Sequence, residues 1–316
     1  MVKIGVDAMG GDFAPRNVIL GAVEAQSLLP KDVQLYLLGD KSKIAEICSE
    51  EGIDLGSFVI VHCTQKVEMG EHPVKGYIKK PDSSVAVGFK MLAAGELDAF
   101  ASAGNTGAML VGCTQTLRTL PGVQRPCISI EIPQMDGSKM LLLDVGFNAD
   151  CRADVLLQFA RLGSVYAKAM MGLENPRVAL LNIGEEPDKG SLSHKEAHEL
   201  LSMAPNVNFV GNVEAKDIYK GGIADVLVTD GFSGNVCLKQ IEAMYDIYLT
   251  MGVRNDYMEK LNYEVYGGTT VLGTSAPVTI GHGASSAKAV SYMILETYRA
   301  HVNDLVKKFE TSLLQN

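Results

Sequence analysis

Residues 2–12, Val2-Lys3-Ile4-Gly5-Val6-Asp7-Ala8-Met9-Gly10-Gly11-Asp12, hold the pattern from which the fold is read: a short apolar run that stops in glycine and small polar residues. The run has the length of a strand, and the glycines mark the turn that follows it. Four more apolar runs end the same way, at Ser102-Ala103-Gly104-Asn105-Thr106-Gly107, Asp144-Val145-Gly146-Phe147-Asn148, Asn182-Ile183-Gly184-Glu185-Glu186 and Asp230-Gly231-Phe232-Ser233-Gly234-Asn235. Helix-period stretches fill most of the gaps, which predicts an α/β protein with a mainly parallel sheet. In such a sheet these loops all emerge at the carboxyl edge of the strands, where open α/β folds place their ligands.

Strands are expected at 3–6, 33–38, 58–62, 99–102, 128–132, 140–144, 177–182, 207–210, 226–229 and 278–280. The clearest helix precedes Met171, because Val155, Leu156, Phe159, Leu162, Gly163 and Tyr166 recur at spacings of three and four and Asn175-Pro176 marks a stop. Cys127 to Ile132 and Met140 to Asp144, joined by Gln134-Met135-Asp136-Gly137, read as a hairpin, since Asp-Gly supplies the positive φ of such a turn. This antiparallel pair interrupts the parallel sheet and is the expected join between two lobes flanking a cleft, within a single catalytic domain over 1–316.

The balance of 28 Lys+Arg against 37 Asp+Glu, a formal charge of −9, excludes a basic nucleic-acid binder. With 47% hydrophobic and 21% charged residues the chain has the mix of a folded globular protein. Cys48, Cys63, Cys113, Cys127, Cys151 and Cys237 form no Cys-x-x-Cys pair and sit mostly in apolar runs, as reduced core thiols do. The first residues lack the basic start and apolar centre of a signal peptide, and no segment approaches the ~18 apolar residues of a membrane span. A cytoplasmic location is expected, with peripheral contact at the inner face of the membrane left open.

Standard cofactor motifs fit poorly. Gly281-His282-Gly283-Ala284-Ser285-Ser286 resembles a dinucleotide fingerprint but has Ser at the third glycine and lies too near the C-terminus. Lys189-Gly190-Ser191 has the wrong order for a phosphate-binding P-loop, and Gly231-Phe232-Ser233-Gly234 is one residue short of a hydrolase elbow. His194 and His198 are spaced i, i+4 without the adjacent Glu of a zinc-protease helix. No cofactor and no catalytic metal are expected.

The loop Asp7-Ala8-Met9-Gly10-Gly11-Asp12-Phe13-Ala14-Pro15 resembles the opening motif of the bacterial phosphate acyltransferases of phospholipid synthesis. The resemblance continues through the blocks at 102–108, 175–186 and 230–236, Tyr266-Gly267-Gly268 and His282-Gly283-Ala284, and so spans nearly the whole chain. It implies a three-layer α/β/α fold similar to isocitrate and isopropylmalate dehydrogenases and to phosphate acetyltransferases. It also implies a homodimer, an acyl carrier protein as acyl donor, inorganic phosphate as acceptor, and an acyl phosphate product that feeds a membrane glycerol-3-phosphate acyltransferase. Three departures stand out: Phe147 in place of the common Ala, Thr269 in place of Ala after Tyr-Gly-Gly, and a short segment between Glu242 and Tyr266, the region that forms dimer-tip helices in relatives.

Attack of phosphate on a thioester needs an anion clamp, donors for the tetrahedral oxyanion and a proton for the departing thiol. For the clamp the candidates are Gly10, Gly11, Gly104 and Thr106, with one of Lys79, Lys80 or Lys189. Asn105, Asn148 and Asn235 are the candidate oxyanion donors, because amides donate without changing protonation state. His282, between two glycines, is the candidate proton donor, its rival role being to hold the loop. Asp7 and Asp230 are expected to support rather than touch the ligand, since an unpaired carboxylate repels phosphate. In the expected dimer-interface segment 236–266, Leu238, Ile241, Met244, Tyr245, Tyr248 and Met251 form an apolar stripe that suits core, dimer interface or acyl chain. A coenzyme A-dependent transferase on the same fold, a solute-binding protein and a nicotinamide-dependent dehydrogenase are the competing readings.

Overall fold

The computed structural model describes residues 1–313. Two units form, one from residues 1–120 and 263–302, the other from residues 121–262 with the chain from 303 onward.

The first unit begins β1 (Val2–Asp7), α1 (Arg16–Leu28), β2 (Val33–Gly39), α2 (Lys41–Glu51), β3 (Val59–His62), α3 (Pro73–Lys79), α4 (Ser84–Ala93), β4 (Ala99–Ser102) and α5 (Thr106–Val111). β1 lies between β2 and β4, and β3 flanks β2, all parallel. Helix ends follow local chemistry: Asp40 accepts the Ser42 and Lys43 N–H groups at the start of α2, and Gly52 closes it in the left-handed region. Ser83 caps α4 in the same way.

The second unit contains β5 (Cys127–Pro133), β6 (Lys139–Leu143), α6 (Ala153–Met170), β7 (Arg177–Asn182), α7 (Leu192–Met203), β8 (Asn208–Glu214), β9 (Val226–Val228), α8 (Gly231–Thr250) and α9 (Asp256–Lys260). β5 and β6 are antiparallel, joined by a turn in which Gly137 has φ +89°, as the Asp-Gly pair predicts. β6, β9, β7 and β8 then run parallel in that spatial order. The chain returns to the first unit with α10 (Tyr263–Tyr266), β10 (Thr269–Leu272), β11 (Val278–Ile280) and α11 (Ala287–Val302), and ends its described part in the second unit with α12 (Leu305–Leu313). β11 pairs parallel with β4 and antiparallel with β10.

In the first unit Ile4, Val6, Leu35, Leu37 and Ala101 cover one face of the sheet and pack on α1, α2 and α11 through Ile19, Ile44 and Val290. On the other face Phe100 meets Phe89 of α4 edge-on at 5.3 Å, and Tyr77 of α3 stands 6.3 Å from Phe89. Burial of such rings stabilises by about 1.5–3 kcal/mol each. Helices therefore cover both faces, the three-layer α/β/α arrangement. In the second unit α6 lays its predicted face (Val155, Leu156, Phe159, Leu162, Tyr166) over β6, β7 and β9, with α7 and α12 beside it.

The ten expected strands are all present, nine within a residue at each end, while β8 runs four residues beyond its expected end at 210. β10 is unexpected: its four residues sit between Gly267-Gly268 and Gly273, a context that reads as loop, and only pairing with β11 makes it a strand. The Thr269 hydroxyl donates to the Ile280 carbonyl across that pair at 3.1 Å. All six cysteines are unpaired, and burial pushes the Cys63 and Cys151 thiols up to about 12. Among the described residues no helix is long and apolar enough to cross a membrane.

Candidate functional site

β1, β4 and β11 lie side by side and parallel, so the loops after Asp7, Ser102 and Ile280 open on one carboxyl edge of the first unit. Asp7 is the buried keystone of that edge. Its Oδ2 accepts the Ser102 hydroxyl at 2.7 Å and its Oδ1 the Met9 N–H at 3.1 Å, while Ser102 Oγ accepts the Gly104 N–H at 3.0 Å. Burial pushes the Asp7 carboxyl above its ordinary value of 3.8, opposed by hydrogen bonds from Ser84, Ser102, Met9 and Gly10. A Cβ on Gly10 would stand 2.6 Å from Asp7 Oδ2, 2.7 Å from Gly104 N and 2.8 Å from Ser102 Oγ, so only glycine lets these two loops meet. Next along, Gly11 has φ +115°, and the Asp12 N–H donates to the Gly283 carbonyl at 2.8 Å, joining the first and last loops.

His282 lies exposed on the third loop. Its Nδ1 accepts the Ala284 N–H at 3.2 Å, and its carbonyl accepts the Ser285 N–H and hydroxyl. With Nδ1 accepting, a neutral ring carries its proton on Nε2. Thr106 is exposed in the first turn of α5. Asn105 caps that helix: Oδ1 accepts the Ala108 N–H at 3.0 Å, and Nδ2 donates to the carbonyls of Glu68, Met69 and Glu71.

The second unit repeats the pattern, with β6, β9 and β7 adjacent and parallel. Its keystone is Asp144, which is fully buried. Oδ1 accepts N–H groups from Ile128, Gly146 and Phe147, and Oδ2 accepts the main-chain and side-chain N–H groups of Asn148 at 2.7 and 2.8 Å. Burial again pushes the carboxyl upward. Asn148 Nδ2 also donates to the Pro126 carbonyl at 2.8 Å, and the Asn148 carbonyl accepts the Gly231 N–H at 2.7 Å. Asp230 caps α8 through the Ser233 N–H at 2.8 Å, and Asn235 Nδ2 donates to the Val145 carbonyl at 3.3 Å.

The predicted residues thus divide into two groups. Gly10, Gly11, Gly104, Thr106 and His282 gather on the edge of the first unit, while Asn148 and Lys189 belong to loops of the second and Asp230 and Asn235 to the start of α8. The sequence reading gave the Asn amides to an oxyanion, but the side-chain N–H groups of Asn105, Asn148 and Asn235 donate to carbonyl or carboxylate oxygens of the protein, mostly from other segments of the chain. Lys80 is engaged too, with Nζ 2.6 Å from Glu71 Oε2 and 3.0 Å from the Lys66 carbonyl. Lys79 is exposed on the last turn of α3, and Lys189 is exposed with Nζ 3.9 Å from Glu186 Oε2.

Two features went unassigned in the sequence. One is the pair Ser102 and Asp144, the partners of Asp7 and Asn148, whose only signal is a polar residue at the end of a buried strand. The other is a set of exposed apolar side chains in these loops: Phe13 in the first unit, and Ile183 (80% exposed) and Phe232 (67%) in the second. On α8, Leu238, Ile241 and Tyr245 of the apolar stripe are buried, Met251 is exposed, and Ile241, Met244 and Tyr248 line a cavity of about 170 Å³ with Met135, Tyr219 and Leu261.

The fold of these two α/β units is that of phosphotransacylases of known structure. A phosphotransacetylase from Streptococcus pyogenes superposes with a TM-score of 0.69 at 17% identity, covering 95% of this chain and 94% of that one. A branched-chain phosphotransacylase from Enterococcus faecalis V583 gives 0.63 at 16% identity, covering 95% and 99%. The sequence goes further: the chain belongs to the fatty acid synthesis protein family, whose model matches residues 2–308. Curated relatives include the phosphate acyltransferase of Ligilactobacillus salivarius (strain UCC118), 39% identical over 98% of both chains, and that of Staphylococcus aureus (strain MRSA252), 36% identical over 99% of this chain and 98% of that one.

Proposed function

We propose that the chain transfers a long-chain fatty acyl group from acyl carrier protein to inorganic phosphate, forming an acyl phosphate for phospholipid synthesis. The observation that carries this reading is the end-to-end match to relatives named phosphate acyltransferase. Phosphate sits against the main chain of Gly10, Gly11, Gly104 and Thr106 on the edge of the first unit. A phosphate oxygen of HPO4²⁻ attacks the thioester carbonyl carbon, the C–S bond breaks, and the proton the phosphate carried ends on the departing sulfur, to which the Nε2–H of His282 donates a hydrogen bond. Main-chain N–H groups stabilise the oxyanion, and Asn105, Asn148 and Asn235 act as positioning residues. Asp7 and Asp230 support the loops. Lys189 adds positive charge to its own loop in the second unit. No metal or cofactor takes part in these steps.

The same reading gives a homodimer formed through the helical segment 236–266, a cytoplasmic location with peripheral contact at the inner membrane face, and a membrane glycerol-3-phosphate acyltransferase as consumer of the product. The competing reading has coenzyme A as acyl donor, on a fold shared with phosphotransacetylases. Trapping acyl phosphate as the hydroxamate, from long-chain acyl carrier protein and from acyl coenzyme A in parallel, separates the two. Product from the carrier-protein reaction alone is expected, and product from coenzyme A alone would replace this donor. His282→Asn should lower kcat by about 10²–10⁴ with little change in KM for phosphate; an unchanged kcat would remove the histidine from the chemistry.

A further inference from the structure

The second unit carries a pocket at the opposite end of its strands from the glycine-rich loops. Asn175 precedes β7 and Pro205 to Asn208 lead into β8, so the pocket lies at the amino ends of these strands. The six residues of β7 separate it from the Ile183 loop by about 17 Å at the usual strand rise. Arg161 and Lys168, two turns apart on α6, form one wall, Asn206 and Asn208 another, and Ser312 of α12 closes a third side. The volume is about 400 Å³, within the range of small-molecule sites.

Its chemistry is one-sided. In a chain with a net charge of −9, the described residues that line this pocket include two cations and no carboxylate. Lys168 in the last turn of α6 also complements the helix dipole. That role does not extend to Arg161, whose Nε is buried and has no hydrogen-bond partner among the described residues. A buried guanidinium N–H without an acceptor is costly, and an oxyanion would supply one.

We propose that this pocket binds a phosphomonoester. A dianionic phosphate group matches two cations, and the planar guanidinium fork suits its oxygens. The volume leaves room for an organic remainder beside the phosphate. The site is separate from the proposed transfer reaction and does not rest on it.

The test follows the ¹⁹F signal of 4-fluorophenyl phosphate as full-length protein is titrated in, with no thioester present. Saturable broadening is expected with the wild-type chain, and Lys168→Gln, an exposed substitution that leaves the core untouched, should weaken it several-fold. Arg161→Gln combined with Lys168→Gln should weaken it by about tenfold or more. Arg161→Lys, which keeps the charge and loses the fork, should fall between. Acyl phosphate formation in Lys168→Gln should match wild type, separating this pocket from the transfer site. Inorganic phosphate should compete more weakly than the ester, which would place part of the affinity in the organic remainder. Equal competition would overturn the ester assignment in favour of free phosphate. The proposal fails if the probe binds wild type and the double variant equally, if it does not bind, or if 4-fluorobenzoate competes as well as the phosphate.

Discussion

Replacing Gly10 by alanine tests the architecture of the first unit's edge most directly. The added Cβ falls under 3.0 Å from three atoms: Asp7 Oδ2, Ser102 Oγ and the main-chain nitrogen of Gly104. The first two are hydrogen-bonded to each other at 2.7 Å and buried, and the third belongs to a loop anchored by Ser102, so none withdraws without opening the keystone. Overpacking of this kind costs about 1–3 kcal/mol, and a disrupted buried hydrogen bond adds about 1 kcal/mol. A loss of about 2–4 kcal/mol is therefore expected from urea unfolding, a large part of the roughly 5–15 kcal/mol that holds a typical domain. Acyl phosphate formation, assayed well below the unfolding midpoint, should fall at least tenfold because the loops around the phosphate move apart. Gly52→Ala is the control: Gly52 has φ +66° with nothing within 4 Å of its Cβ position, so the variant should lose about 1–2 kcal/mol and keep full activity. If Gly10→Ala matched wild type, or merely matched Gly52→Ala in both assays, the close contact between the first two loops would not govern the site.

Three further outcomes are expected. The raised pKa of Asp7 means that the folded chain holds this proton more firmly than the unfolded one. The contribution of this group is therefore greatest below pH 3.8 and declines as pH rises through the window up to the folded value. Asp7→Asn should flatten that part of the stability profile, measured as urea midpoints from about pH 4 to pH 7; parallel profiles would contradict the assignment. Asp230→Ala removes the cap of α8 and should cost about 1 kcal/mol in thermal unfolding together with a fall in activity, whereas Asp230→Asn, which keeps an acceptor, should retain most of both. Phe89→Ala leaves a void beside Phe100 and Tyr77 and should destabilise by about 3–5 kcal/mol, with KM for phosphate unchanged in the protein that remains folded.

Much of this fold is written in local pattern. The period of α6, the Asp136-Gly137 turn and the glycine stops after β1 and β4 are each decided within a dozen residues, so the sequence alone predicts them. β10 escapes because its strand character comes from a partner rather than from its own four residues. The candidate site is legible in the same uneven way. Glycines whose Cβ would collide with a neighbouring loop announce themselves by residue type. Asn105 and Asn148 also announce a polar role, but residue type cannot tell whether an amide faces a ligand or a carbonyl. Here three carbonyls converge on Asn105 from residues 34 to 37 positions away in sequence, a contact no periodicity encodes. Lys80 fails for a similar reason, since its partner Glu71 lies on the far side of α3.

The order in which the chain visits its two units bears on how it is made. The core of the first unit needs Val290, Met293 and Ile294 of α11, and β11 must lie beside β4, yet these residues are translated after the whole of 121–262. As the chain leaves the ribosome, β5 through α9 can therefore assemble while the first 120 residues still lack β10, β11 and the covering helix α11. A nascent chain stalled near residue 262 would hold β1, β2 and β4 with the face of Ile4, Val6 and Ala101 covered by α1 and α2 but not by α11. The amino-terminal segment that carries Gly10 and Asn105 is thus the first synthesised and among the last to be completed, which makes it a natural client for a chaperone acting during synthesis.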